Sequence, residues 1–586
     1  MEDTDDSRPS ARLLVQVGRN AGWWVGLLAV NALVLAAAEL ALPAVLGRTL
    51  DDLLGGGAPG RWLALFVVLV VVLSLGEALE DLGTGAATAR STAWLRHTSL
   101  AHLMSVGWRT AQRFPPGDLV ARLVGNTAEA GSVAPDVIRG AAALIPAVGG
   151  TIALALIDPW LCVTFLVGLP VMMALLWAFA RDASELAEGY LTIQGKIAGR
   201  LVQALSGART IAAAGTAERE TKRVLGPLAT LHDYGMRMWR AQARITAQDL
   251  LLLSGLEIAV LAVGGWQLSR GRISPGELLA ASQYVALGAA LSSVIPDLTR
   301  FIRSRAAARR VGEVLDLSAV GYGNAVLPSA GGTVEFRKVS VRVGERVILD
   351  RLNLVIPAGS LVAVVGRTGA GKSLLAGLAG RLVDPDDGVV LLDGVQLIQL
   401  TQRELRGAVG YGFERPVLIG DTLGGAIAFG ADAPDDDTVV DAAMAAHADT
   451  FIRHLPKGYQ TPLAEAPMSG GEMQRMGLAR AFAHTGRVLI LDDVAASLDT
   501  VTEHEISRAL TGAMADRTRI LVAHRASTAA RADQVIWLDD GRVRAQAPHR
   551  ELWTDPDYRG LFEAGRPEPD DAPMLAALGS DLVGAE

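Results

Sequence analysis

Near residues 23–46, 63–82, 137–157, 161–180, 250–268 and 278–295 the chain runs apolar for close to the ~20 residues that cross a bilayer's hydrocarbon core. Each stretch is read as a transmembrane helix, and an even number of crossings returns both ends of the region to one side. Only Asp158-Pro159-Trp160 separates the third stretch from the fourth, which predicts a helical hairpin. Hydrophobic residues make up 50% of the chain and aromatic residues only 5%, so the apolar load is aliphatic. The net charge of −8 gives no basic excess for nucleic acid. A single cysteine, Cys162, rules out an internal disulfide and argues against a thiolate metal site. It is read as a small buried hydrophobe. The start is acidic (Glu2, Asp3, Asp5, Asp6) and its first apolar stretch is long, so it is read as a retained helix, with a cleaved signal as the alternative.

Arginine placement sets the orientation. Arg8, Arg12 and Arg19 precede the first span, Arg90 to Arg139 lie between the second and third, Lys196 to Arg244 between the fourth and fifth, and Arg300 to Arg310 after the sixth. The N-terminus, both long connections and the C-terminal half are therefore expected in the cytoplasm of a multi-pass plasma-membrane protein. The long connections are polar, rich in helix formers and poor in Pro and Gly. Structureless loops of that length are uncommon. They are read as helices that continue the spans, with breaks at Phe114-Pro115-Pro116-Gly117-Asp118 and at Ser206-Gly207 and Ala214-Gly215.

Beyond 317–332, a Gly/Ser/Ala-rich stretch read as a linker, the pattern changes. Short β-branched runs at 334–343, 360–365, 389–392, 488–491, 519–522 and 534–538 alternate with helical segments, an α/β arrangement. The expected organisation is an α-helical transmembrane domain at 1–316, the linker, an α/β domain at 333–565 and a disordered acidic tail at 566–586.

Gly366-Arg367-Thr368-Gly369-Ala370-Gly371-Lys372-Ser373 is a complete P-loop between a strand and a helix. Its glycines let backbone N–H groups turn toward phosphate oxygens, and the helix N-terminus adds positive potential. Lys372 is expected on the β- and γ-phosphates of ATP and the Ser373 hydroxyl on Mg²⁺. The apolar run 488–491 ends in Asp492, the carboxylate expected to hold Mg²⁺ through water.

Met468-Ser469-Gly470-Gly471-Glu472, with Gln474-Arg475 after it, resembles the signature sequence of ABC ATPases. Ala523-His524-Arg525 matches that family's switch histidine, and Ser497-Leu498-Asp499 its loop that crosses to the partner subunit. With six spans and long intracellular helices, nearly the whole chain resembles an ABC exporter half-transporter. The resemblance implies a dimer, homo- or heteromeric, that sandwiches ATP between the P-loop of one chain and Ser469, Gly470, Gly471 and Glu472 of the other. It also implies coupling helices near 115–122 and 210–217 that dock on the ATPases.

Three positions depart from the family pattern. Val343 stands where an aromatic residue stacks on adenine, and lost stacking costs roughly 1–3 kcal/mol. Glu414 replaces a Mg²⁺-sensing Gln, so it could still ligate Mg²⁺ but repels the γ-phosphate. Asp493 replaces the catalytic Glu and is one methylene shorter, and a misplacement of about 1 Å can cost about 100-fold in rate. Glu472 for Gln in the signature is read as a mild change. Damage at one ATP site with the signature spared resembles the weak-hydrolysis half of an asymmetric heterodimer. The alternatives are a homodimer with two equivalent sites and an importer on the exporter fold. Glu39, Glu77 and Glu257 lie in or beside spans, where charge usually faces a cavity or a partner. They point either to a cationic or amphipathic cargo or to pairing with Arg or a proton. Phrases such as Glu414-Arg415-Pro416-Val417-Leu418 resemble actinobacterial pairs that export peptide natural products. With Cys162 as the only cysteine, no leader-peptide processing is expected.

Overall fold

The computed structural model describes residues 7–107, 113–289, 294–329, 331–430, 433–494 and 500–563. The chain forms two compact units, Met1–Met104 with Phe114–Leu317, and Ser105–Arg113 with Ser318–Glu586.

The first unit is helical. Its main helices are α1 (Ser7–Asn20), α2 (Trp23–Leu54), α3 (Gly60–Ser105), α4 (Val133–Ile157), α5 (Pro159–Ser206), α6 (Leu228–Ser269), α7 (Pro275–Ala289) and α8 (Val294–Leu315). Only a backbone that closes its own hydrogen bonds is tolerated in lipid, and helix does this within one segment. Among the described residues, four helical stretches are long and apolar enough to cross a membrane: Trp23–Leu54, Gly60–Ser105, Pro116–Ile157 and Ala217–Ser269. The expected fourth span falls within α5. The expected sixth span, 278–295, lies partly outside the described residues. At 46 residues, α3 is roughly 70 Å long at 1.5 Å per residue, more than twice the ~30 Å hydrocarbon thickness. A helix of that length must project well beyond the bilayer.

Asp158 makes the turn between α4 and α5. Its carboxylate accepts from the Trp160 N–H at 2.8 Å, Pro159 occupies the first helical turn, and Gln267 Nε2 donates to it from α6 at 3.0 Å. Helical structure also breaks where the sequence signals turns. Pro115 caps the short helix Pro116–Ala121, and Gly207 ends α5 before the short helix Ala208–Ala213. Arg122, just past the first break, donates to Asp118 at 2.7 Å, to Glu313 at 2.6 Å and to the Arg310 carbonyl at 2.5 Å, tying this region to α8.

The second unit holds two sheets. One has the order β2-β1-β4-β5, from β1 (Val334–Val343), β2 (Arg346–Ile356), β4 (Asp387–Leu392) and β5 (Val395–Gln396). The other has the order β10-β9-β3-β8-β7-β6, from β3 (Leu361–Gly366), β6 (Val409–Gly412), β7 (Val488–Asp492), β8 (Thr518–Val522), β9 (Gln534–Asp539) and β10 (Arg542–Ala547). Strands β9, β3, β8, β7 and β6 are parallel, and Leu361 to Val365 of β3 and Val488 to Leu491 of β7 are buried. Near-continuous apolar strands are what a parallel sheet covered on both faces requires.

The segment expected as a linker is hydrogen-bonded into this unit. Gly323 N–H donates to the Leu400 carbonyl at 3.0 Å, Ala325 N–H to Gln399 at 2.8 Å, and Arg381 reaches the Gly321 carbonyl at 2.6 Å. A Cβ at Gly323 would lie 2.1 Å from the Gln399 oxygen. Glycine there permits close backbone approach. The tail at 566–586 lies outside the described residues.

Candidate functional site: a P-loop nucleotide site and a capped signature helix

The register of the parallel sheet decides which residues meet. Val364 pairs with Val522, Val522 with Asp492, and Leu491 with Gly412, so β3, β8, β7 and β6 end at one edge. From that edge emerge, in turn, the P-loop, His524, Asp492 with Asp493, and Glu414. Ligands in α/β sheets bind at the carboxyl ends of strands, where side chains from separate segments converge.

The P-loop turns through left-handed backbone at Gly369 (φ 85°) and Gly371 (φ 95°) and opens helix α9 (Lys372–Ala379). A side chain at Gly371 would be strained and its Cβ would sit 2.8 Å from Leu349 Cδ2. The loop then aims the N-terminus of α9 at the space above it. Lys372 is buried and its Nζ donates to the carbonyls of Gly366 at 2.9 Å and Arg367 at 3.1 Å. Burial pulls its pKa below the ordinary lysine value, and the charges of Asp493 and Asp492 oppose that shift. Arg367, Thr368, Gly369 and Ala370 border a cleft of about 330 Å³ whose far wall is Arg346–Ile348 and Asp539–Gly541.

Ser373 Oγ donates to Asp492 Oδ1 at 2.9 Å. Burial raises the Asp492 pKa above the usual carboxylate range, the Ser373 hydrogen bond opposes this, and the charge of Glu414 adds to it. Asp493 is also raised, first by burial, against the opposing influence of His524. His524 Nε2 lies 3.6 Å from Asp493 Oδ2. Asp493 sits at φ 48°, a left-handed region where Asp is among the better tolerated non-glycine residues. Glu414 is more exposed and lies 3.7 Å from Arg415. The hydroxyl and carboxylates of Ser373, Asp492 and Glu414 are all hard oxygen donors, a set that fits Mg²⁺.

One expected site residue, Val343, stands apart from this group. Val343, at the end of β1, is half exposed and borders a different cleft with Tyr322 and Arg381. Its strand partner Arg346 is the one that lines the P-loop cleft. Ser497, Leu498 and Asp499 lie outside the described residues.

The signature forms the start of helix α10 (Gly470–Ala483) with Ser469 as its cap. Glu472 Oε2 accepts from both Ser469 N–H and Ser469 Oγ at 2.7 Å, and Glu472 N–H donates back to Ser469 Oγ at 3.3 Å, a capping box. The same helix carries a residue with no role assigned from sequence. Gln474 is buried, and its Nε2 donates to the carbonyls of Phe413 at 3.2 Å and Val494 at 3.1 Å. One amide thus joins the signature helix to the segments bearing Glu414 and Asp493. Arg480, farther along, donates to the Val417 carbonyl at 2.9 Å. The sequence signal for Gln474 is its place directly after the signature, as Gln474-Arg475; which carbonyls it bonds shows only in the fold.

Residues 349–496 match the ABC transporter family, and residues 25–289 match the ABC transporter transmembrane region. A Streptomyces coelicolor protein described as "ABC transporter ATP-binding protein RamA" is 48% identical over 532 residues, covering 90% of this chain and 84% of that protein.

The chain is an ABC transporter.

A Mycobacterium tuberculosis protein described as "Multidrug efflux ATP-binding/permease protein Rv0194" is 36% identical over 397 residues, covering 67% of this transporter and 32% of that protein. The solved structure of a bacterial Atm1-family ABC exporter with ATP bound superimposes with a TM-score of 0.77 at 25% identity, covering 93% of this transporter and 100% of that chain. This ABC transporter is therefore an exporter-type, multi-pass, ATP-hydrolysing translocase, and exporters of this fold work as dimers.

Proposed function

We propose that this chain is the weak-hydrolysis half of a heterodimeric exporter in the cell membrane, with its ATPase unit cytoplasmic. The carrying observation is the contrast between its two half-sites. Its own P-loop site has Glu414 beside two carboxylates of raised pKa and Asp493 in place of a longer base. Its signature, by contrast, keeps its Ser-Gly-Gly start at a helix N-terminus held by a capping box.

At the chain's own site the P-loop N–H groups and Lys372 bind the phosphates of ATP, while Ser373, Asp492 and Glu414 would hold Mg²⁺. When bound, Mg²⁺ neutralises charge on the β- and γ-phosphate oxygens. Asp493 accepts the proton of the attacking water, and His524 beside it orients that water against the γ-phosphate. The added negative charge of Glu414 opposes phosphate binding there. Ser469, Gly470 and Gly471 complete the partner half-transporter's site, supplying a hydroxyl and helix-terminal N–H groups to its γ-phosphate. The 3.6 Å approach of His524 to Asp493 favours a second reading, a homodimer whose two equivalent sites still turn over.

The cargo is a cationic or amphipathic small molecule or peptide. Glu39 and Glu80 border an apolar-walled cavity of about 190 Å³ in the membrane unit, and Glu80 is paired to Arg139 at 3.1 Å. ATPase assays of the purified chain, alone and with a second half-transporter carrying a catalytic Glu and an aromatic adenine platform, test the assembly. Low activity alone and high activity together are expected. Equal specific activity in both would overturn the heterodimer.

A further inference from the structure

Ser469 has one hydroxyl proton, and in this structure it is given to Glu472 Oε2 at 2.7 Å. The same oxygen also accepts the Ser469 N–H at 2.7 Å, so a single carboxylate oxygen holds both donors of the residue that begins the signature. Donation to an ionised carboxylate is roughly twice as strong as donation to a neutral amide. The Ser469 N–H holds the Glu472 pKa below the usual glutamate value, so the acceptor is charged throughout the neutral range. A phosphate oxygen arriving at this helix must therefore displace an anionic acceptor already in place. A neutral amide at 472 would keep the cap geometry and offer a weaker competitor.

We propose that Glu472 is a positioning residue that latches the Ser469 hydroxyl onto its own helix, so that engaging ATP requires exchange of one anionic acceptor for another. The latch raises the ATP concentration at which the composite site closes. The inference rests on the reading of Ser469 as a phosphate-binding residue for the opposing P-loop.

The test is the ATP dependence of ATPase activity in the purified transporter for Glu472→Gln, Ser469→Ala and the double variant, with KM and kcat resolved separately. Exchanging a charged for a neutral acceptor is expected to lower KM roughly three- to tenfold. In the Ser469→Ala background the same exchange is expected to leave KM unmoved, because the hydroxyl it would release is gone. A purely structural cap predicts no fall in KM. A KM that stays constant or rises in Glu472→Gln overturns the latch. An equal fall in both backgrounds also overturns it, since Glu472 would then act through its charge and not through Ser469. Ser469→Arg serves as the control for the underlying reading. If it abolishes ATPase activity while Glu472→Gln changes nothing, the latch alone is wrong. If it is harmless, the signature assignment is wrong as well.

Discussion

Ser373 Oγ donates to Asp492 Oδ1 at 2.9 Å, joining the first turn of the P-loop helix to the end of strand β7 two positions away in the sheet. Two oxygens proposed to hold Mg²⁺ thus come together from distant segments. Ser373→Ala removes one of them. It is expected to weaken nucleotide binding about tenfold with Mg²⁺ present, equivalent to ~1.4 kcal/mol, and far less in EDTA. Calorimetric titration under the two conditions measures this. Equal weakening would show that Ser373 does not serve the metal.

Gln474→Leu keeps the volume but leaves the carbonyls of Phe413 and Val494 without their shared donor. Unpaired buried groups of this kind cost roughly 1–3 kcal/mol. A lowered unfolding midpoint of the full-length protein is expected, with reduced ATPase activity because the segments bearing Glu414 and Asp493 lose a common anchor. An unchanged midpoint would show that the amide carries no structural role.

Arg122 is nearly buried and bonds to Asp118, Glu313 and the Arg310 carbonyl while stacking over Phe114 at 4.4 Å. Its two carboxylate partners are partly exposed and can rehydrate, so Arg122→Met should cost less than a fully buried pair, roughly 1–3 kcal/mol. Thermal unfolding in detergent should show the loss, and Glu313→Gln should show a smaller one. Identical stability of Arg122→Met and wild type would contradict the network.

Features encoded locally were legible in the sequence. A run of about 20 apolar residues specifies a membrane helix by length alone, and the P-loop, Asp492 and the signature each carry their chemistry within a few residues. The Asp158-Pro159-Trp160 hairpin was legible for the same reason. Features that depend on a distant partner were not. Gln474 is legible as part of the signature stretch, but its two carbonyl partners, Phe413 and Val494, are not. The contacts that hold the Gly-rich stretch after Leu317 are also not legible, because a glycine needed for close approach at Gly323 is indistinguishable in sequence from one that confers freedom. From sequence Glu472 reads as a mild replacement for Gln; that its carboxylate takes the Ser469 hydroxyl shows only in the fold.

At Asp493 the two effects of a longer side chain oppose each other. Glu gains a methylene of reach toward the attacking water but fits the φ 48° backbone less well than Asp. If reach limits the site, Asp493→Glu raises turnover. Steady-state ATPase rates of the variant and wild type measure this. No change in rate would transfer the defect to Glu414.

The asymmetric assembly is tested most directly by comparing Lys372→Ala with Ser469→Arg in the purified complex. Lys372→Ala removes a charge-assisted phosphate contact at this chain's own P-loop. Ser469→Arg fills the signature of the opposing, competent site and blocks closure there. The account predicts near-complete loss of ATPase activity for Ser469→Arg and a milder loss, with part of transport surviving, for Lys372→Ala. Equal and severe loss in both variants would contradict it and would establish two equivalent sites.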